Sequence, residues 1–209
     1  MGGIILIKFI TLEGGEGCGK TTVANKLTEE LQKFGFKVLC TREPGGVELS
    51  EKIRSLLLGN YMTPEAEALL FAASRAELVN EKIKPAIEND YIVICDRYID
   101  SSLVYQGYVR NLGISHIYDI NMFATNHLLP DLTLYLDLPV EIAMQRVNNR
   151  HEDKNRFDKE DLKFYDKVRS GFKVITSMYG RIVEIDASKP LDEVVSNCIE
   201  VVLQRGEII

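Results

Sequence analysis

The run Gly14-Gly15-Glu16-Gly17-Cys18-Gly19-Lys20-Thr21 has the residue types and spacing of a phosphate cradle. Its glycines let the backbone curl with N–H groups pointing inward, and a helix N-terminus after the loop adds its own free donors. Lys20 is placed to reach β- and γ-phosphates, and the Thr21 hydroxyl to ligate Mg²⁺. A second element of the same chemistry is Tyr91-Ile92-Val93-Ile94-Cys95-Asp96, an apolar strand ending in a carboxylate. Asp96 at such a tip can hold Mg²⁺ directly or through water. Alone it reads more simply as a turn residue, and the glycine-rich loop is what raises it above that. Arginines fall beside the loops at Arg42, Arg97, Arg110, Arg150 and Arg156. Each taken singly reads as an ordinary surface residue. Phe71 and Arg75, four apart, share a helix face and aim a ring and a guanidinium the same way.

The elements that must position these groups follow from the apolar pattern. Ile4 to Leu12 reads as a buried central strand running into the cradle, and Thr22 to Leu31 as the helix after it. Lys37 to Cys40 is a second strand, and Thr41-Arg42-Glu43-Pro44-Gly45-Gly46 leaves its carboxyl end, where open α/β sheets bind ligands. Glu51 to Leu58 is a short helix carrying Arg54. Thr63-Pro64-Glu65 opens the next, with a cap, a proline at the first helical position and an acid in the first turn. Its residues Ala66 to Ala73 are apolar almost all round, which predicts burial on most sides. Pro85 predicts a kink or stop after Lys84. Ser101 to Gln106 reads as a polar segment after Asp96. Ile114 to Leu129 is a helix, Leu132 to Leu138 a fourth strand and Pro139 to Arg150 a helix. His151-Glu152-Asp153-Lys154-Asn155-Arg156 suits a flap over the site, or a solvated loop. Asp158 to Met178 is helical, Arg181 to Asp186 a fifth strand and Pro190 to Leu203 a closing helix. The result is an α/β fold with a five-stranded parallel sheet wrapped by helices on both faces.

Composition bounds the remaining possibilities. The 209 residues suffice for one sizeable core, and no linker or composition shift divides them. With 45% hydrophobic and 27% charged residues the chain is an ordinary globular one. No apolar run has the length of a membrane span or signal core, so a cytoplasmic location is expected. The cysteines at 18, 40, 95 and 198 lack the spacing of a zinc site or disulfide framework. A formal net charge of −6 opposes a non-specific grip on nucleic acid. A small anionic ligand must therefore be held by local cations.

Four blocks in this order resemble the thymidylate kinase family over essentially the whole chain: Glu13 to Thr22, Thr41 to Gly46, Leu70 to Arg75, and Asp96 to Ser102. The resemblance implies a P-loop NTPase fold, ATP-dependent phosphorylation of dTMP to dTDP with Mg²⁺, a homodimer, and a single kinase domain with a lid at about 148–159. It implies that Phe71 stacks on thymine, Arg75 bonds its carbonyl edge, Gln106 meets its amide side, Glu16 holds the 3′-hydroxyl and Tyr105 crowds the 2′ position. Arg42, Arg54 and Arg97 would hold the acceptor phosphate, with Pro44 and Ser102 in the same acceptor site. The family carries its catalytic arginine either directly after the P-loop acid or in the lid. Gly17 stands at the first place, so the resemblance points to lid arginines, Arg150 and Arg156, with Arg146 a third possibility. Two competing readings are a kinase for another nucleoside monophosphate and a nucleotide-binding switch. A GTPase-type switch would carry Asn-Lys-x-Asp, whereas Asn25-Lys26 is followed by Leu27-Thr28.

Overall fold

A computed structural model describes residues 7–149, 156–158 and 160–205. A parallel sheet of five strands is built from β1 (Phe9–Glu13), β2 (Val38–Arg42), β3 (Ile92–Asp96), β4 (Leu132–Asp137) and β5 (Ile182–Asp186). Their spatial order is β2-β3-β1-β4-β5, which sets β1 in the middle. The strand expected from Ile4 is described only from Phe9, and residues 4–6 lie outside the described part.

Strand alternation sends β1 side chains to two cores. Ile10 and Leu12 join the cluster containing Val23, Leu27 and Leu31 of α1 (Lys20–Lys33) and Val194, Cys198 and Val202 of α9 (Leu191–Arg205). Phe9 turns to the opposite cluster, with Leu78, Leu103, Tyr135 and Phe172. Fully buried leucines such as Leu27 and Leu31 each contribute about 1.5–3 kcal/mol through area removed from water. The four cysteines are free thiols.

Three expectations are revised. Helix α3 (Pro64–Leu78), capped by Thr63 Oγ1 on the Ala66 N–H, is not buried all round on apolar residues. Leu69 is 58% exposed, while Glu67, Ser74 and Arg75 face inward. Pro85 does not stop the helix, because a π-helical turn, Val79–Ile83, leads into α4 (Lys84–Glu88). There the proline sits in the first turn of α4, where its missing N–H costs little. Ser101 to Gln106, expected only as a polar segment, is helical and buried, formed by α5 (Ile99–Ser102) and a π-helical segment, Leu103–Val109. Helix α2 (Glu48–Gly59) starts earlier than expected, and α6 (Ile114–Ala124), α7 (Val140–Asn148) and α8 (Leu162–Met178) are shorter. In α8 the reason is local: Asp161 caps the helix by accepting from the Phe164 N–H at 2.9 Å.

Candidate active site

The carboxyl ends of β1, β2 and β3 open on a cavity of about 400 Å³. Its floor is the loop between β1 and α1. Gly14 has φ 147°, and a Cβ there would stand 2.7 Å from the Leu136 carbonyl oxygen. Lys20 is buried, and its Nζ donates to the Gly15 and Gly14 carbonyls at 2.8 and 3.2 Å and lies 3.5 Å from Cys18 Sγ. Thr21 Oγ1 donates to Asp96 Oδ2 at 2.5 Å, so the register of β3 beside β1 joins the two groups expected at a metal. Asp96 Oδ1 is buried with no hydrogen-bond partner among the described residues. A buried carboxylate oxygen left unpaired is costly, and a cation beside the Thr21 hydroxyl would satisfy it. These residues thus fit Mg²⁺ bound through few protein ligands.

The arginines converge on the opposite wall. Arg42 Nη1 and Arg54 Nη1 each donate to the Pro44 carbonyl at 2.9 Å, and Arg42 Nη2 pairs with Glu51 at 2.9 Å. Arg54 is held below the usual arginine range by burial and by Arg42, with Arg97 adding to the repulsion. An anion between these guanidiniums would relieve that repulsion. Arg97 sits at φ 71°, a left-handed conformation costly for a residue with a Cβ. Its Nη1 donates to Gly14 O and Ser101 Oγ, both at 3.1 Å, and its Nη2 pairs with Glu16 at 2.6 Å. Burial opposes its charge, but Glu16, with Tyr105 and Asp96, more than offsets this. The Tyr105 hydroxyl donates to Glu16 Oε1 at 3.2 Å, and its ring lies 5.3 Å from the Arg97 guanidinium.

The far end of the cavity is lined by Phe71, Arg75, Ser102, Gln106 and Phe157. Arg75, expected at the base edge, is among the lining residues of this end. It is 1% exposed, and its donors reach Glu43 Oε2 (2.7 Å from Nε, 2.6 Å from Nη2), Ser102 Oγ (3.1 Å), Asn121 Oδ1 and the Tyr98 carbonyl (2.9 Å). Its Nε and both terminal nitrogens thus each hydrogen-bond to a protein acceptor. Burial pushes Glu43 up to about 7 against the pull of Arg75. Arg156 is not over the cradle: its Nη1 pairs with Glu67 at 2.6 Å and its Nε donates to Leu57 O at 2.7 Å. Arg146 reaches toward the Ala187 carbonyl at 3.5 Å, and Arg150 lies outside the described residues. The cavity lining therefore includes Glu16, Gly17, Gly19, Lys20, Thr21, Arg42, Pro44, Arg54, Phe71, Arg75, Asp96, Arg97, Ser102, Tyr105 and Gln106, and neither Arg146 nor Arg156.

Sequence reasoning assigned no role to Glu13, Glu67 or Asn121. Glu13 is fully buried and accepts from the Tyr98 and Ser101 N–H groups at 2.7 and 3.1 Å and from Ser101 Oγ at 2.6 Å. Glu67 precedes Phe71 by four residues and Arg75 by eight, a spacing that puts all three on one helix face and could have drawn attention to it. Asn121 lies in α6 within no motif, and only the tertiary structure brings it to Arg75.

A P-loop, a strand-end aspartate and an arginine-lined acceptor wall in one cavity describe a family that comparison with known proteins makes explicit. The thymidylate kinase family model matches residues 12–198. A thymidylate kinase from Geobacillus thermodenitrificans is 47% identical over 204 residues, covering 95% of this chain and 91% of that protein. One from Staphylococcus haemolyticus is 47% identical over 197 residues, covering 93% and 97%. The crystal structure of thymidylate kinase from Ehrlichia chaffeensis superposes with a TM-score of 0.77 at 32% identity, over 95% of this chain and 99% of that one. With the site's geometry and these matches in agreement from the P-loop to α9, the chain belongs to the thymidylate kinase family.

Proposed function

We propose that this protein transfers the γ-phosphoryl group of ATP to dTMP, giving dTDP and ADP. The observation that carries this reading is the opening of one cavity onto both the Lys20–Thr21 cradle and the Arg42, Arg54, Arg97 wall, with Phe71 and Gln106 beyond. A dTMP phosphate oxygen attacks the γ-phosphorus in line, and the bond to the β,γ-bridging oxygen breaks, leaving ADP. The chain supplies alignment and charge rather than a nucleophile. The cradle N–H groups and Lys20 hold the donor, with Lys20 exchanging its loop carbonyls for phosphate oxygens. Arg42, Arg54 and Arg97 fix the acceptor phosphate, and Phe71 offers a face for the base. Gln106 meets the base edge. Tyr105 and Glu16, joined by a hydrogen bond, bound the sugar, where a 2′-hydroxyl would crowd the ring. Thr21 and Asp96 would hold Mg²⁺, which when bound neutralises phosphate charge.

The family resemblance supports a cytoplasmic homodimer and a lid at about 148–159. Light scattering at twice the chain mass tests the first. The activity is tested by coupled ADP release with ATP and Mg²⁺ and each of dTMP, dUMP, UMP, dCMP and AMP. Turnover that depends on dTMP is expected. A stronger acceptor among the others, or hydrolysis indifferent to acceptor, overturns the assignment.

A further inference from the structure

Glu67 is 1% exposed and has no part in the chemistry above. A carboxylate so deeply buried must be fully partnered to be tolerated. Its two oxygens divide the partners. Oε1 accepts from Gln106 Nε2 at 2.7 Å, with Arg110 Nε 4.0 Å away, and Oε2 pairs with Arg156 Nη1 at 2.6 Å. Gln106 lines the cavity, and Phe157, next to Arg156, places its ring 6.5 Å from that of Phe71 and 5.8 Å from that of Tyr105. One buried carboxylate therefore stands between the base end of the cavity and the segment entering α8.

A carboxylate paired with arginine only accepts, so the amide nitrogen of Gln106 must face it. The opposite rotamer would set two acceptors against each other. The amide oxygen is thereby fixed as the atom left for a ligand. An acceptor there suits a base edge that presents N–H, as N3 of thymine and uracil does, and opposes cytosine, whose N3 presents a lone pair. We propose that Glu67 is a positioning residue for acceptor choice, holding the Gln106 amide so that its oxygen is left to accept from the base, with Arg156 occupying the other carboxylate oxygen. The inference rests on the reading of Gln106 as a base contact. It gives Arg156 a place in acceptor recognition, at the base end of the cavity rather than at the phosphates.

The test is Glu67→Gln. A neutral amide has one oxygen for two donors, and the charged Arg156 is the stronger claimant. The new NH₂ then turns on Gln106, whose amide rotates and presents nitrogen to the base. Initial rates are measured with dTMP and dCMP as acceptors, and with dCMP as competitor against dTMP. The dTMP-to-dCMP ratio of kcat/KM should fall about 5- to 150-fold, the range for a mispaired buried polar group. Should that variant fail to fold, Glu67→Asp, which keeps the charge but is one methylene short of spanning both partners, should lower the same ratio. A purely structural role would depress both acceptors alike, so an unchanged ratio in the folded variants overturns the proposal. Gln106→Ala separates the two levels. If it raises the KM for dTMP while Glu67 variants keep the ratio, only the role of Glu67 fails. If it leaves that KM unchanged, the base-contact reading fails and this inference with it.

Discussion

Lys20 and Phe71 mark the two ends of the cavity, and each holds a place that substrate would change. The Lys20 ammonium rests on carbonyls of its own loop, contacts that a phosphate can replace with stronger, charge-assisted ones. Its removal leaves no apolar gap. Lys20→Ala should therefore lower kcat by at least about 10²–10³ while the melting temperature moves within about 4 °C, because the partners lost are carbonyls of its own loop. Steady-state kinetics with differential scanning calorimetry checks both, and retained turnover would sink the assignment of the cradle. Phe71 is half-buried, with the Phe157 ring as its aromatic neighbour. Phe71→Ala should raise the KM for dTMP about 5- to 150-fold, the range for base stacking of about 1–3 kcal/mol, with kcat less affected. A variant that binds dTMP normally in its folded fraction would make Phe71 a core residue only.

Helix α7 explains why the cradle carries glycine where the family's other arrangement has arginine. Gly17 has φ 78°, and a Cβ on it would stand 2.6 Å from the Ala143 carbonyl oxygen and 3.1 Å from Val147 Cγ2. The obstacle is helix backbone, which cannot swing aside as a side chain can. Gly17→Arg should accordingly lose activity, by distorting the loop or displacing α7, instead of gaining a catalytic arginine; kcat together with the melting temperature measures this. A stable, active variant would show that α7 moves freely. The same packing separates what could be read from the residues alone. The cradle, Asp96 and the run of Phe71 and Arg75 are local patterns whose spacing carries their geometry, and the five parallel strands with the first one central followed from the alternation of strands and helices. The helical course of Ser101 to Gln106 and the π-helical form of Val79 to Ile83 were not legible, since π-helical hydrogen bonding leaves no period of its own in the sequence. Nor were the partners of Arg75 and Arg156. A guanidinium's acceptors come from whichever elements pack against it, here α5, α6 and the end of α2.

For the molecule as a whole, the sheet's carboxyl edge concentrates buried acids, and these should write themselves into stability against pH. Glu13 is raised from 4.5 to about 7, chiefly by burial and then by Asp100, against hydrogen bonds from Ser101 and Tyr98 and the charge of Arg97. Arg181 faces the same cluster through its paired contacts with Asp100 at 2.6 and 2.7 Å. Because the folded state holds this proton more tightly than the unfolded chain, the contribution is fully present below about 4.5 and is lost as pH rises through about 7. Asp137 acts in the opposite sense. Burial works against its charge, but Arg169, Lys173 and the Tyr135 hydroxyl hold it well below 3.8, so its contribution is present above that value and is lost as pH falls. The unfolding free energy from urea titrations should therefore decline between pH 5 and pH 7.5, by at most about 3 kcal/mol for Glu13 at roughly 1.4 kcal/mol per pH unit. Glu13→Gln keeps an acceptor for the Tyr98 and Ser101 N–H groups and removes the titration, so its decline over that interval should be shallower. Parallel slopes for the two proteins would show that Glu13 stays ionised in the fold, and that Arg97 and Arg181 outweigh its burial.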